Sequence, residues 1–331
     1  MQIITVDPSA PAPADIGHAA EILRRGGLVA FPTETVYGLG ANALDTAAIG
    51  RIYAAKGRPS YNPLIVHVAD EAAARALVVE WPERASRVAR AFWPGPVTMI
   101  LRKRDIVPDA ATAGLDAVAL RVPAHPVALA LLRAAALPLA APSANRSMQV
   151  SPTTAAHVAR SLGDAVDLIL DGGPTTVGIE STVLDLRGPR AAILRPGMIG
   201  ARELEPFVGP FTSSTEPSGE AARPSPGMLD RHYAPRARVV LFSTEEWPRL
   251  RVEAEEAIAK GKRVALLAMT VGAPQGAITQ RMPRDAAGYA QQLYAALHAV
   301  DEAGTEILYA ERVPDASPWL GVRDRLERAS R

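Results

Sequence analysis

Short runs of apolar residues alternate with longer helical patterns along most of this chain, and this alternation limits the fold to the α/β class. Strand-like runs occur at 28–31, 64–68, 97–101, 117–122, 137–141, 167–170, 181–186 and 191–194. Helical patterns occur at 15–25, 46–55, 70–80, 83–92, 125–136 and 153–161. The sequence therefore predicts a twisted α/β domain with a mostly buried sheet.

A change in composition divides the chain. Its 331 residues exceed what one compact core usually holds. Residues 209–226 are rich in Ser, Thr, Gly and Pro, which is typical of a linker. Beyond it, strands near 239–242, 264–269 and 306–310 alternate with helices near 246–260 and 285–302, before a last helix at 319–329. We predict a first domain over 1–205, a linker over 206–235 and a smaller Rossmann-like α/β domain over 236–331.

Composition excludes several kinds of protein. The 36 Lys and Arg residues nearly balance the 35 Asp and Glu residues, and a net charge of +1 argues against a dedicated nucleic-acid binder. Without cysteine, disulfides, thiolate zinc sites and a cysteine nucleophile are impossible, which suits a reducing cytosol. The first twenty residues lack the pattern of a signal peptide, and charged residues and prolines interrupt the long apolar stretch 117–142. We expect a cytoplasmic protein with no membrane span.

The segment FPTETVYGLGANALDTAAIGRIYAAKGRPSYNPLIVH, residues 31–67, carries the strongest chemical signal. Its K-G-R triplet supplies Lys56, a point charge, and Arg58, which suits a bidentate grip on phosphate or carboxylate. Arg58 precedes Pro59, which favours an extended backbone and ends the helix. A lone K-G-R is more typical of a solvated surface turn. The neighbouring Thr-Glu-Thr turn and NPLIVHV strand favour a preorganised site for a small polar substrate beside an anion.

Other polar groups in the same segment are weaker signals. Thr33, Thr35 and Asn62 offer small donor and acceptor groups on turns. His67 alternates within an apolar strand and, taken alone, is more typical of a core histidine. The run 38–43 matches G-x-G-x-x-A, but six residues separate it from the preceding strand and position 60 is a serine. A dinucleotide site needs the motif directly after its strand and an acidic residue about 20 positions on, so we reject that reading.

Three further segments place polar residues at strand ends. Ser143 and Asn145 lie two residues apart after a strand, where they can reach one ligand or can cap the next helix. Ser181 follows a glycine turn in GIESTV, and Arg195 lies in LRPG. Arg121 lies inside an apolar strand, where an unpaired guanidinium is costly. Its partner can be a ligand carboxylate or a structural Asp or Glu.

His232 and Tyr233 stand near the end of the Pro- and Gly-rich stretch. At this position they can fold back over an occupied site as a lid, or they can dock the second domain. The sequence leaves both possibilities open.

Together these segments resemble the threonylcarbamoyl-AMP synthase family, in its longer two-domain form with a YrdC-like catalytic fold. The resemblance rests on FPTETVYGLG, K-x-R, NPLIVHV, WPGPVT, LRVP, S-x-N, GIESTV, LRPG and SPGM…HYAP, which follow one another between residues 31 and 235. Leu229, Asp230 and Arg231 depart from the more basic, aromatic stretch usual in this family. That departure puts lid contacts from these three residues in doubt.

The resemblance implies a nucleotidyltransferase that converts L-threonine, bicarbonate or CO2, and ATP into threonylcarbamoyl-AMP and pyrophosphate. A separate transferase would use the product to modify the tRNA adenosine beside the anticodon. Mg2+ is expected with ATP, and because no Asp/Glu cluster nominates ligands, it would be held by phosphate oxygens.

These expectations assign the candidate residues to two half-sites, with Lys56 and Arg58 as the catalytic pair. For threonine we expect Arg121 at the carboxylate, with Thr35, His67, Ser181 and the backbone at Ala141 around it. For the ATP phosphates we expect Lys56, Arg58, Ser143, Asn145, Ser151 and Arg195. For the adenosine side or its cover we expect Asn62 and Tyr233, with His232 in the lid.

Two other functions remain open at this point. One is an RNA-binding module without chemistry, binding double-stranded RNA or tRNA through a basic concave face; steep salt dependence would mark it. The other is a carbamoyltransferase that uses carbamoyl phosphate, which would release no pyrophosphate.

Overall fold

The computed structural model describes residues 1–212 and 233–331, and within these residues the chain forms two compact units. The first unit comprises residues 1–147 and 151–212, and the second comprises 148–150 and 233–331. Within the described residues the first unit contains a ten-stranded mixed sheet and the second a four-stranded parallel sheet. The predicted α/β class is confirmed. Residues 213–232, which hold most of the predicted linker and His232, lie outside the described residues.

The first sheet is built from strands that are mostly buried, except for the largely exposed edge strand β1. They are β1 (Gln2–Thr5), β2 (Val29–Phe31), β3 (Gly38–Asn42), β4 (Ile65–His67), β5 (Val97–Arg102), β6 (Ala117–Arg121), β7 (Leu139–Ala140), β8 (Leu168–Asp171), β9 (Thr182–Asp185) and β10 (Ala192–Arg195). Their order across the sheet is β1-β8-β2-β3-β7-β4-β6-β5-β9-β10. The sequence predicts each of these except β1 and β3.

Helices cover this sheet. They are α1 (Pro13–Arg24), α2 (Thr46–Lys56), α3 (Glu71–Arg75), α4 (Glu83–Phe92), α5 (Asp109–Thr112), α6 (Pro126–Ala135), α7 (Ala155–Leu162) and α8 (Ala201–Val208). Helix α2 matters most for the site. Its first turn is capped by the Asp45 carboxylate, which accepts the N–H groups of Ala47 and Ala48 at 2.8 and 3.3 Å. It ends at Gly57, whose φ of 58° is left-handed, so Lys56 occupies the last turn.

Alternation along the strands sends side chains to both faces of the sheet, and each face has its own core. Leu39 and Val66 pack in one buried cluster with residues of α2 such as Ile52. Phe31 belongs to a second cluster with Leu23 of α1 and other residues of α1 and α6. The sheet is thus buried on both sides, as the apolar strands predict.

The second unit has strands β11 (Arg238–Phe242), β12 (Val264–Ala268), β13 (Ile278–Arg281) and β14 (Ile307–Glu311), with helices α9 (Trp247–Ala259), α10 (Ala286–Glu302) and α11 (Leu320–Ala329). The strands pair in parallel in the order β11-β14-β12-β13. Strand β13 is not predicted, because it is a mostly exposed edge strand without the apolar signal of its neighbours.

The sequence does not predict two features of the first unit. The G-x-G-x-x-A run forms β3, paired antiparallel with β2 and β7, and does not form a turn before a helix. Gly40 allows this pairing because a Cβ there would lie 2.7 Å from Cε1 of Phe31. At the other end, α8 and the Thr212 N–H, which donates to the Ala191 carbonyl at 2.9 Å, extend ordered structure past residue 205.

Gly197, in the LRPG turn, lies closely against the GIESTV segment. A Cβ at Gly197 would stand 2.5 Å from the backbone nitrogen of Thr182 and 2.9 Å from the carbonyl oxygen of Glu180. Only a residue without a side chain fits there, so these two motifs are joined by close packing.

We predict that Gly197→Ala lowers the free energy of unfolding by about 1–3 kcal/mol, because the added methyl group must displace backbone atoms. The matched control is Gly50→Ala, inside α2, where a Cβ would meet nothing within 4 Å. That substitution should raise the free energy of unfolding by about 0.5–1 kcal/mol. Urea unfolding of both variants measures the difference, and equal effects would contradict the close packing.

Candidate active site

The Thr-Glu-Thr turn is held by its own side chains. The Thr33 hydroxyl donates to the Val36 carbonyl at 2.6 Å and accepts the N–H groups of Thr35 and Val36 at 3.2 Å. It also lies 2.8 Å from the hydroxyl of Thr35, and both threonines are buried. This turn therefore presents Thr35 in a fixed position.

Arg121 has a carboxylate partner. Its Nη2 donates to Glu34 Oε1 at 2.6 Å, and its Nε donates to the Gly95 carbonyl at 3.2 Å. The other Glu34 oxygen accepts the Ala124 N–H at 2.9 Å. Of the two partners that the sequence leaves open for Arg121, the structure supplies the glutamate.

His67 lies beside Arg121, because the register of β4 and β6 pairs the two residues. His67 is buried, and within residues 1–212 and 233–331 its Nδ1 has no hydrogen-bond partner. Ala141 lies at the adjacent strand, where its N–H donates to the Ile65 carbonyl at 2.9 Å. The structure thus brings His67, Arg121 and Ala141 to neighbouring strands.

Lys56 joins two of the motifs. Its ammonium donates to the carbonyl of Ser143 at 2.5 Å and to the carbonyl of Asn145, while its own carbonyl accepts the Ser147 N–H at 2.8 Å. The side chain is buried. The K-x-R and S-x-N segments, widely separated in sequence, are therefore in direct contact, and one of the three ammonium protons has no part in these two bonds.

Arg58 closes the loop after α2. Its Nε and Nη2 donate to the carbonyls of Asn62 and Pro63 at 3.1 and 2.8 Å, and Asn62 is also buried. The Tyr53 hydroxyl donates to the Asn62 carbonyl at 3.1 Å. The loop is held rigidly, as a preorganised site requires.

Ser181 has polar partners on two other strands. The Arg195 guanidinium donates through Nη2 to the carbonyl and the hydroxyl of Ser181 at 3.0 and 3.1 Å. The Thr98 hydroxyl lies 2.7 Å from the Ser181 hydroxyl. Arg195 and Ser181, which we assign to different half-sites, are thus direct neighbours, and Thr98 is a polar partner that the sequence analysis does not single out.

Ser151 contacts Glu180, another residue that the sequence analysis does not assign to the site. Its hydroxyl donates to Glu180 Oε1 at 2.6 Å, and both residues are buried. Main-chain hydrogen bonds connect this region to the threonine turn, since the Gly178 N–H donates to the Thr35 carbonyl at 3.2 Å. Glu34, Thr98 and Glu180 all lie within the recognised motifs, but only the fold shows what their side chains contact.

Tyr233 lies in the second unit and is buried there. Its ring stacks on Tyr294, with 5.8 Å between the centroids, and the Arg325 guanidinium carbon stands 5.1 Å from its centroid. Its predicted contact with adenosine stays a prediction. His232 lies outside the described residues, so its predicted role in a lid also stays a prediction.

Burial changes the acid–base properties of two site residues. Burial and the nearby charge of Arg121 lower the pKa of His67 to about 3. This side chain is therefore neutral at physiological pH. Burial, together with the charge of Arg58, lowers the pKa of Lys56 well below its usual value. An incoming anion would reverse this effect by stabilising the charged ammonium.

Among residues 1–212 and 233–331, no group of three or more His, Asp or Glu side chains is arranged to hold a metal ion. The buried carboxylates of Glu34 and Glu180 accept hydrogen bonds from Ala124 and Ser151, respectively. In the same part of the chain, no helix has the length and apolar character needed to cross a membrane.

Comparison with known proteins identifies the family. The Sua5/YciO/YrdC family model, described as "Telomere recombination", matches residues 21–197, and the model described as "Threonylcarbamoyl-AMP synthase, C-terminal domain" matches residues 199–331. The threonylcarbamoyl-AMP synthase of Pyrococcus abyssi is 43% identical over 320 residues, which cover 94% of this chain and 93% of the relative. The chain belongs to the threonylcarbamoyl-AMP synthase family.

Further relatives agree with this family membership. The threonylcarbamoyl-AMP synthase of Bacillus subtilis is 43% identical over 325 residues, covering 95% of this chain and 92% of the relative. The structure of P. abyssi Sua5 complexed with L-threonine is similar over 100% of this chain and 98% of that one, with a TM-score of 0.93 and 40% identity. The resemblance of the motifs and the two-domain form of the family are therefore confirmed.

The pKa of His67 gives a test of its burial in this family member. Since the native histidine binds a proton only near pH 3 and the unfolded one near pH 6.5, the unfolded state binds more protons between these values. Stability is therefore lost as pH falls below about 6.5. We predict that going from pH 7 to pH 5 costs the wild-type chain about 2 kcal/mol more than it costs His67→Gln.

Urea unfolding at the two pH values measures this difference. The control is His18→Gln, which removes a histidine at an exposed position. An unchanged pH dependence in His67→Gln would show that His67 is not held neutral.

Proposed function

We propose that this chain catalyses the formation of threonylcarbamoyl-AMP and pyrophosphate from L-threonine, bicarbonate or CO2, and ATP. The observation that carries the proposal is the contact of the K-x-R and S-x-N segments at Lys56, in the same unit whose sheet pairs Arg121 with His67. The name of the relatives supports the product, and the complex of P. abyssi Sua5 with L-threonine supports the amino-acid substrate. The product would serve a separate tRNA-modifying transferase in the cytoplasm.

The threonine half-site would use Arg121 for the carboxylate. Within the described residues, the Nη1 group of Arg121 makes no hydrogen bond, so its two N–H groups remain for a ligand. Thr35, His67 and Ser181 would surround the hydroxyl and amine, and the backbone at Ala141 would close the pocket. A neutral His67 suits this role, because a cation there would repel an ammonium group and would add charge beside Arg121.

The phosphate half-site would use Lys56, Arg58, Ser143, Asn145, Ser151 and Arg195, with Asn62 toward the adenosine. Lys56 and Arg58 are already held by backbone carbonyls, so they need little rearrangement when the charge on phosphorus develops. Tyr233 and His232 would contribute to the adenosine side or its cover.

The chemistry requires positioning more than a protein nucleophile. The neutral amine of threonine attacks CO2 and loses a proton to give a carbamate. A carbamate oxygen then attacks the α-phosphorus of ATP, and the bond from that phosphorus to pyrophosphate breaks. Holding three reactants in line can supply about 7–11 kcal/mol of the barrier. Mg2+ would be bound by phosphate oxygens and would neutralise charge on them, since Glu34 and Glu180 already accept hydrogen bonds from protein groups.

The substrate dependence of turnover tests the proposed reaction. Pyrophosphate release from ATP should require both L-threonine and bicarbonate and should be weak with serine, which lacks the methyl group of threonine. A coupled pyrophosphate assay measures this dependence. Release without threonine would indicate a nucleotide hydrolase, and carbamoyl phosphate turnover without pyrophosphate would indicate a carbamoyltransferase. Salt-steep binding of double-stranded RNA with no release would favour the RNA-binding module.

Substitution of Arg58 tests the phosphate half-site. Loss of a charge-assisted contact costs about 1.5–3 kcal/mol, so Arg58→Ala should reduce kcat/KM by about one to two orders of magnitude. Arg58→Lys keeps a charge but has only one nitrogen for the two carbonyls that Arg58 contacts, so it should recover part of the activity. Normal activity in Arg58→Ala would refute the assignment of this residue.

A further inference from the structure

Glu34 is a buried carboxylate with a protein partner on each oxygen. Oε1 accepts a hydrogen bond from Arg121 at 2.6 Å, and Oε2 accepts one from the Ala124 N–H at 2.9 Å. The side chains of Arg121 and Glu34 are only 4% and 9% exposed. Because both side chains are buried, water does not readily replace either partner, and the fold fixes the geometry of the pair.

The backbone of Glu34 is fixed as well. Its carbonyl accepts the Val177 N–H at 2.7 Å, and the flanking Thr33 and Thr35 are joined through their hydroxyls at 2.8 Å. The carboxylate therefore has a rigid base from which to hold Arg121. In turn, Arg121 is fixed at Nε by the Gly95 carbonyl and at its backbone by the strand register with His67.

These contacts occupy one side of the guanidinium. Nε and Nη2 are engaged, whereas Nη1 makes no hydrogen bond to any residue that the structure describes. A guanidinium is planar and its donors have a fixed geometry, so fixing two nitrogens also fixes the direction of the third.

We propose that Glu34 is a positioning residue that holds Arg121 so that Nη1 faces the carboxylate of L-threonine. The inference rests on the proposed function, because it assumes that Arg121 binds this carboxylate. It gives the glutamate of the Thr-Glu-Thr turn a role in substrate affinity that acts only through the arginine.

An electrostatic role and a positioning role of Glu34 predict opposite changes in substrate affinity when its carboxylate is neutralised. If Glu34 only weakened the positive field of Arg121, its removal would strengthen binding of a carboxylate substrate. If Glu34 orients Arg121, its removal weakens that binding, since hydrogen bonds to a charged group depend on direction as well as distance. The sign of the change therefore separates the two effects.

The experiment compares Glu34→Gln with the wild-type chain by pyrophosphate release and by calorimetric titration of L-threonine. We expect the KM and Kd for threonine to rise about tenfold or more, while the KM for ATP stays within about twofold. Inhibition by L-threoninamide, which lacks the carboxylate, should change by less than about twofold, because Arg121 has no carboxylate to bind in that ligand.

The matched control is Asp171→Asn. Asp171 lines the same cavity of about 830 Å³ as Glu34, and its Oδ1 accepts hydrogen bonds from the Gly173 N–H at 3.0 Å and the Tyr37 hydroxyl at 3.4 Å. The Asp171→Asn substitution removes the charge of a neighbouring carboxylate and changes none of the hydrogen bonds of Arg121. The threonine KM of this variant should stay within about twofold of wild type.

Several outcomes would overturn the role of Glu34. These are a lower or unchanged threonine KM in Glu34→Gln, equal rises in the KM of threonine and ATP, and an equal rise in Asp171→Asn. If Glu34→Gln does not fold, Glu34→Asp tests the same role, since it keeps the negative charge but has a shorter side chain. A positioning role requires a raised threonine KM there, and an unchanged KM would contradict it.

The failure of the proposed function gives a different result. In that case the wild-type chain itself shows no threonine-dependent pyrophosphate release. Wild-type turnover with an unaltered threonine KM in Glu34→Gln would overturn only the positioning role.

Discussion

A cation buried in a protein must be surrounded by oxygen atoms, and this constraint organises the candidate site. Lys56 obtains two carbonyl oxygens from the S-x-N segment, and Arg58 obtains two from its own loop. Arg121 obtains a carboxylate and a carbonyl oxygen, and Arg195 the carbonyl and hydroxyl of Ser181. Each contact fixes a charged group and also joins separate parts of the chain. The motifs are thus held together by hydrogen bonds from their buried cations to oxygen atoms of the protein.

The same contacts suit the proposed chemistry. A water-filled site would have to reorient solvent as charge develops on phosphorus, whereas cations held by the backbone are already oriented. The neutral state of His67 follows from the same burial, because the charge of Arg121 next to it favours the uncharged ring. In the proposed site these hydrogen bonds orient the cations, and Arg121 has an acidic partner in Glu34.

The sequence predicts the large features of the fold well. Helix α4 is predicted with its observed bounds, and most strands of the first sheet lie within two residues of their expected positions. The failures have local physical causes. Strand β3 contains two glycines, which have low strand propensity, and it forms because β2 and β7 flank it and Phe31 needs the space at Gly40. Strand β13 lacks the apolar signal because its edge position leaves it mostly exposed.

At the site, the amino-acid sequence sets the chemical groups that are available: Lys56, Arg58, Arg121 and the hydroxyl residues, in motifs that also identify the family. Which of these groups are neighbours depends on the fold. The contacts of Arg121 with Glu34 and of Lys56 with Ser143 each join residues 87 positions apart. The local periodicity of the sequence does not predict contacts between such distant residues. It arises when the order of strands across the sheet brings distant segments side by side, and buried charges then take the oxygen atoms that the fold places within reach.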